Sequence, residues 1–179
     1  ANVLNLLKKS TRISMLHYFD ADSIWKAPNA MEGVSELITV RPDYLKVRIT
    51  DVSTLQIKLL PFRSGQLVMT IYNIGKEPGG DSDIRFYNSE LQEIPSDKFI
   101  KMPQLKDFFD IPKGSLTTMK EIQGMLPFYT TIFNADADST TLEAEITVGE
   151  YVSTDDYNIL KLFMRPRLKY TWNGKKFTS

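Results

Sequence analysis

The chain has 179 residues, no cysteine, and 22 basic against 22 acidic side chains. Apolar residues make up 42 % and charged residues 25 %, an ordinary globular composition that argues against disorder along the whole chain. Zero Cys excludes disulfides, thiolate metal centres and cysteine nucleophiles, and the balanced charge argues against nucleic acid, whose binders usually carry a basic surplus. No apolar run approaches the roughly 20 residues of a membrane-crossing helix. The start, Ala1-Asn2-Val3-Leu4, lacks an initiator Met and reads as a trimmed, mature chain.

In chain order, residues 2–20 read as helical. Val3, Leu4, Leu6 and Leu7 crowd one side of a short helix. Ser10 or Thr11 can cap a second helix, whose stripe is Ile13, Leu16 and Tyr18-Phe19; Asp20-Ala21-Asp22-Ser23 ends it. From residue 36 the period changes to two. Leu45, Val47 and Ile49 alternate with Tyr44, Lys46 and Arg48; Leu55, Ile57 and Leu59 with Gln56 and Lys58; Leu67, Met69 and Ile71 with Val68, Thr70 and Tyr72. This is half-buried strand patterning. The short links Arg41-Pro42-Asp43, Asp51-Val52-Ser53 and Arg63-Ser64-Gly65 imply antiparallel neighbours. Pro78-Gly79-Gly80-Asp81 is a longer loop before a strand at Ile84–Tyr87.

The pattern then restarts. Leu105, Phe108 and Phe109 make a helical turn, broken at Pro112-Lys113-Gly114. Ser115 can cap a helix bearing Leu116, Met119, Ile122 and Gln123, stopped by Gly124 and Pro127. Strands are expected at Phe128–Phe133, Thr140–Val148, Asn158–Met164 and Leu168–Trp172, with a type I′ hairpin at Asn173-Gly174. Asp-Ala-Asp-Ser occurs at 20–23 and again at 136–139, and Thr54-Leu55-Gln56-Ile57 answers Thr141-Leu142-Glu143-Ala144. Their shared order predicts an α+β fold of two tandem modules, 1–98 and 99–179, each a helix pair packed on a small antiparallel sheet.

The run Val52-Ser53-Thr54-Leu55-Gln56-Ile57-Lys58-Leu59-Leu60-Pro61, followed by Ser82-Asp83-Ile84-Arg85-Phe86-Tyr87, resembles a family of small secreted proteins of Bacteroides-type anaerobes, known only as a domain of unknown function. Leu4-Asn5-Leu6-Leu7 with Arg12 and Asp20, and Leu105-Lys106-Asp107-Phe108-Phe109, look like its other recurring blocks. The resemblance covers most of the chain. It implies export to the periplasm or beyond and supplies no activity and no catalytic residues. The tandem layout is also similar to that of the β-lactamase inhibitor protein, a likeness of architecture that licenses no function.

Candidate chemistry is sparse. His17 is the single histidine, and neither a G-x-S-x-G elbow nor an H-E-x-x-H pair accompanies it. The Asp-x-Asp pairs at 20/22, 81/83 and 136/138 carry oxygen ligands suited to Ca²⁺ but lack the spacing of an EF-hand loop; turn and capping roles are the simpler reading. Glu143 and Glu145 share a strand face, as glycosidase carboxylates could, yet cross-strand ion pairs explain them better. Tyr170 and Trp172, in line with Leu168, read as core, and Trp25 as the more exposed aromatic.

Charge is segregated along the chain. Residues 135–156 carry seven acids and no base, whereas 157–179 carry Lys161, Arg165, Arg167, Lys169, Lys175 and Lys176 and no acid. Such segregation can steer an acidic partner, or can be consumed internally across strands. The expected partner-binding residues are Tyr44, Lys46, Arg48, Lys58, Arg85, Arg167 and Lys169, on polar strand faces turned to solvent. The expectation is a secreted or periplasmic, non-enzymatic protein that binds a protein or cell-envelope macromolecule. No cofactor, no metal, no nucleic acid and no membrane-spanning segment are expected. The alternative is a small-ligand binder using a cleft between the halves.

Overall fold

The structure is a computed structural model that describes residues 26–28, 34–75, 80–148 and 152–179. Strands β1 (Lys26–Pro28), β2 (Val34–Arg41), β3 (Tyr44–Thr50), β4 (Ser53–Phe62), β5 (Gly65–Ile74), β6 (Asp81–Tyr87) and β7 (Glu93–Ile94) form one seven-stranded sheet in chain order. Strands β8 (Thr130–Ala135), β9 (Thr141–Thr147), β10 (Arg167–Trp172) and β11 (Phe177–Thr178) form a second sheet, ordered β11-β10-β9-β8. All pairings are antiparallel. Single 3₁₀ turns lie at Ser96–Lys98 and Leu105–Phe108, and two α-helices follow, α1 (Met119–Met125) and α2 (Thr154–Phe163).

The long alternating strands of the first half form as expected, joined by tight turns. Arg41 faces Tyr44 across Pro42-Asp43, and Phe62 faces Gly65 across a turn in which Arg63 takes a positive φ of 53°. Ile38 is an unpaired bulge residue between Leu37 and Thr39 and is left exposed.

The helix-pair-on-sheet modules are overturned. The described residues are mostly β, and the layer packed on the first sheet is the second sheet. Residues 2–20, with His17, and Trp25 lie outside the described residues. In the second half, α1 is one short helix. It is capped at Thr118, not Ser115, through a reciprocal box: Glu121 N–H donates to Thr118 Oγ1, and Thr118 N–H to Glu121 Oε2. Leu116, assigned to its apolar stripe, is 96 % exposed. The strand expected at Asn158–Met164 belongs instead to α2. Ser153 Oγ accepts from Asp156 N–H at 3.1 Å, Asp155 and Asp156 favour the positive helix end, and Leu160 is the helix's buried residue. The Asn173-Gly174 turn is also wider than a type I′ turn. Trp172 pairs with Phe177, so four residues form the loop; only Gly174 has positive φ, and Asn173 Oδ1 accepts the N–H groups of Lys175 and Lys176.

One large core lies between the sheets and draws on both sides of residue 98. Leu60, Leu67, Met69, Ile71, Ile84 and Phe86 of the first sheet meet Phe99, Phe108, Phe133, Leu142, Tyr170, Trp172 and Phe177. Phe86, Phe99, Trp172 and Phe177 stack edge-on or tilted, with centroids 5.0–6.4 Å apart. The Trp172 indole donates to Pro61 O at 2.7 Å, which satisfies its polar end. Tyr170 and Trp172 are therefore core, as their alternation with Lys169 and Thr171 suggests. A smaller cluster, with Leu45, Val47, Ile57, Leu59 and Val68, occupies the other face of β3–β5.

Candidate functional site: a basic groove

Cross-strand partners share a face, so the registers sort the expected binding residues. Lys46, Gln56, Ile71 and Ile84 form one column across β3–β6, and Leu45, Ile57, Thr70 and Arg85 the next. Tyr44, Lys46, Arg48 and Lys58 thus lie on the face that meets the second sheet, and Arg85 on the opposite face. The set of basic residues expected to face solvent on the first sheet is thus split between its two faces.

Two of its members are not turned to solvent. Tyr44 is 3 % exposed and Lys58 1 %. The second sheet covers them, and the reason lies at the outer edge of β8. An edge strand carries unpaired N–H and C=O groups, and here side chains of the first sheet satisfy them. Gln56 Oε1 accepts from Ala135 N–H at 2.9 Å, and its amide donates to Asn134 Oδ1 at 2.8 Å. Asn73 donates to Phe133 O, and Phe133 N–H donates to Ser82 Oγ. Tyr44 OH donates to the same Gln56 oxygen at 3.1 Å. Burial of Tyr44, with Asp136 nearby, pushes its hydroxyl up to about 12. Lys58 Nζ pairs with Asp43 at 3.1 Å, donates to Ala137 O at 3.3 Å and lies 5.8 Å from the Tyr44 ring. At the rim, Arg41 pairs with Asp138.

The other expected binding cations are mostly neutralised too. Arg48 pairs with Glu36 and Asp51, Arg85 with Asp83 and Glu93, and Arg167 with Glu143 and Glu145. The last set is the cross-strand pairing expected for those two glutamates. Lys46 and Lys169 make no ion pair among the described residues; Lys169 borders a cleft of about 250 Å³ with Asn134, Asp136 and Glu143. The Asp136 carboxyl is held below its ordinary range, chiefly because Asp138 N–H donates to it at 2.7 Å. Of the Asp-x-Asp pairs, 136/138 is thus a turn device with an outward ion pair, and in 81/83 Asp81 caps Ser82 N–H while Asp83 holds Arg85.

A different surface gathers cations that are free. Between residues 97–107 and the β10–β11 hairpin runs a groove of about 810 Å³. Lys98, Lys101 and Lys106 line it from the first segment, Arg165 and Lys176 from the second. All five are exposed, and none makes an ion pair among the described residues. The acids in the groove are Asp97 and Asp107. Asp107 is partly occupied, accepting Gln104 N–H at 2.8 Å at the start of its 3₁₀ turn. The two segments are tied together: Phe177 N–H donates to Phe99 O at 2.7 Å, and Arg165 N–H to Phe108 O at 2.6 Å. Phe99, Tyr170 and Phe177 border the groove yet are buried, their rings turned into the core. Burial and the Asp107 charge hold the Tyr170 hydroxyl above its ordinary pKa.

Basic side chains outnumber acidic ones along the groove, five to two. Arg165 and Lys176 come from the acid-free stretch 157–179 that the sequence marks. Lys98, Lys101 and Lys106 escape a pattern search because their segment holds only single 3₁₀ turns joined by loop, and nothing local in it tells that it lies beside the C-terminal hairpin. Among the described residues no group of three or more His, Asp or Glu is placed to hold a metal ion, and no helix is long and apolar enough to cross a membrane.

The described residues thus define a fold of two packed antiparallel sheets. The chain belongs to the family described as a protein of unknown function (DUF3256), whose match runs over residues 1–177. Its fold is similar to that of a domain of an uncharacterised protein from Porphyromonas gingivalis W83, with a TM-score of 0.73 and 22 % identity over 86 % of this chain and 78 % of that one. No curated protein matches the chain.

Proposed function

We propose that this is a non-enzymatic binding protein, secreted or periplasmic, that engages an anionic macromolecule through the groove between residues 97–107 and the C-terminal hairpin. The observation that carries the reading is the contrast in charge pairing. Cations of the polar sheet faces are largely held by fixed acids or buried at the seam, whereas five cations converge on the groove with no ion-pair partner among the described residues. Unpaired, exposed cations lining a concavity raise the local concentration of anions and speed their capture. The chemistry on offer there is electrostatic and hydrogen-bonding. A cleft between the halves is a weaker site, because Gln56, Asn73, Ser82 and Asn134 fill that seam with mutual hydrogen bonds.

The test is capture from the native cell envelope on the purified chain, beside a chain carrying Lys106→Glu and Arg165→Glu. The expected result is a component retained by the first and lost by the second, with retention falling as salt rises. Identical captures by both chains would remove the groove from the function.

A further inference from the structure

We propose, resting on that reading, that the groove's ligand is a linear acidic polysaccharide, a chain of sugars bearing carboxylate groups. Five features of the groove select it. The cations come from two separate segments that face one cavity, which suits a slender chain lying between them better than a flat bilayer. Four of the five are lysines, compact charges on flexible stems that tolerate variable anion spacing; the planar fork that grips a carboxylate or a phosphate bidentately is present once, at Arg165.

The bordering aromatics argue against nucleic acid. Single-stranded nucleic acid is held by exposed rings on which bases stack. Phe99, Tyr170 and Phe177 are 4 %, 6 % and 5 % exposed, and Phe99 and Phe177 already pack against Phe86 and Trp172. They offer no free face. An acidic peptide is disfavoured for a different reason. The mode available beside a sheet edge is strand addition, and at the β11 edge Phe177 N–H is already spent on Phe99 O. The same buried rings leave no apolar socket for a peptide side chain.

Asp97 supplies the positive argument. An exposed carboxylate among five cations weakens the site for a ligand that is only anionic. It suits a ligand that also presents hydroxyl donors, and a carboxylated sugar carries both on every unit. Cations would meet the carboxylates, and Asp97 would accept from hydroxyls.

The experiment measures binding of polygalacturonate, poly-L-glutamate and a single-stranded oligonucleotide to the purified chain at equal charge concentration. The expected order places polygalacturonate first, with a loss of roughly tenfold between about 50 and about 300 mM NaCl. Lys106→Glu with Arg165→Glu should weaken it by more than roughly tenfold, and Lys113→Glu, outside the groove, should leave it unchanged. Lys106→Gln with Lys176→Gln, a milder pair with less risk to folding, should weaken it about threefold. Asp97→Asn should weaken polygalacturonate while strengthening poly-L-glutamate. No binding of polygalacturonate, tighter binding of either rival probe, or equal loss with Lys113→Glu would overturn the assignment. Groove-dependent capture of another envelope component, with polygalacturonate ignored, would leave the binding function standing and remove only this ligand class.

Discussion

Lys58 and Lys106 carry the same ammonium group, and the molecule uses them in opposite ways. Lys58 stands on a strand whose two faces are both covered. Its stem is buried between the sheets, and its head is held by Asp43, Ala137 O and the Tyr44 ring. Lys106 stands on an irregular segment with solvent in front of it and no acid paired to it. The difference lies in where the backbone has unmet needs. The edge of β8 exposes N–H and C=O groups, so polar side chains of β4–β6 are drawn down onto it, and the charged neighbours are buried with them. The groove has no such edge to serve: the β11 edge already has its partner in Phe99 O. Its cations remain available.

If that contrast is right, the seam should govern stability and the groove should not. The largest effect is expected at Lys58. Lys58→Ala removes a long buried stem and strands Asp43, and should cost about 3 kcal/mol in urea unfolding, whereas Lys58→Met, which keeps the stem, should cost less than half as much. Equal losses from the two changes would mean that the charge, not the packing, holds the position.

Next in size is an effect of alkali. Burial pushes the Tyr44 hydroxyl from the ordinary tyrosine pKa of 10.0 up to about 12 in the folded state. The folded state therefore holds this proton more tightly than the unfolded chain. The corresponding stability is full below pH 10 and is lost as pH rises toward 12, about 2–3 kcal/mol in all. Tyr44→Phe should start less stable, for want of the hydrogen bond to Gln56, and then lose less between those two pH values. Parallel stability–pH curves for the two proteins above pH 10 would show that Tyr44 ionises freely.

Gln56 should come third. Gln56→Ala leaves Ala135 N–H, Tyr44 OH and Asn134 Oδ1 without their partner, for about 1–2 kcal/mol. Hydrogen exchange at Ala135 would sharpen the point, since its amide should lose protection before neighbouring amides of β8 that bond to β9.

These residues also show what the sequence could and could not carry. The strands of residues 44–74 are legible because Leu, Val and Ile alternate with polar residues and the turns are short. Which parity is solvated is not legible. Alternation normally implies one wet face, but β4 is buried on both, and Gln56 and Lys58 look like surface residues in a list. The face changes character along the column Lys46–Gln56–Ile71–Ile84, from basic to apolar, and only register reveals that. Helix α2 was obscured by Ile159, Leu160, Leu162 and Phe163, a run that suits a strand; the decisive signal was the cap, Ser153 with Asp155 and Asp156 behind it. Half of the groove was legible as the acid-free C-terminal stretch. The other half required the fold, which brings residues 98–106 beside it.

The smallest expected effect lies in the groove itself, and its sign matters more than its size. Lys98, Lys101, Lys106, Arg165 and Lys176 repel one another across a shared cavity, and the two acids there do not pair with them. Removing one such charge should relieve repulsion without disturbing packing, because each side chain is exposed. Lys106→Gln is therefore expected to raise stability slightly, by about 0.3 kcal/mol at low salt. The gain should vanish near molar salt, where screening shortens the reach of charge to about 3 Å. Chemical denaturation in urea, which unlike guanidinium adds no ions, resolves this when the salt series is run on both proteins side by side. A stability loss on Lys106→Gln would mean that this lysine has a structural partner after all, and would return it to the company of Lys58. A small gain that salt abolishes would mark it as a charge kept despite its cost to the fold, as expected of a group retained for binding.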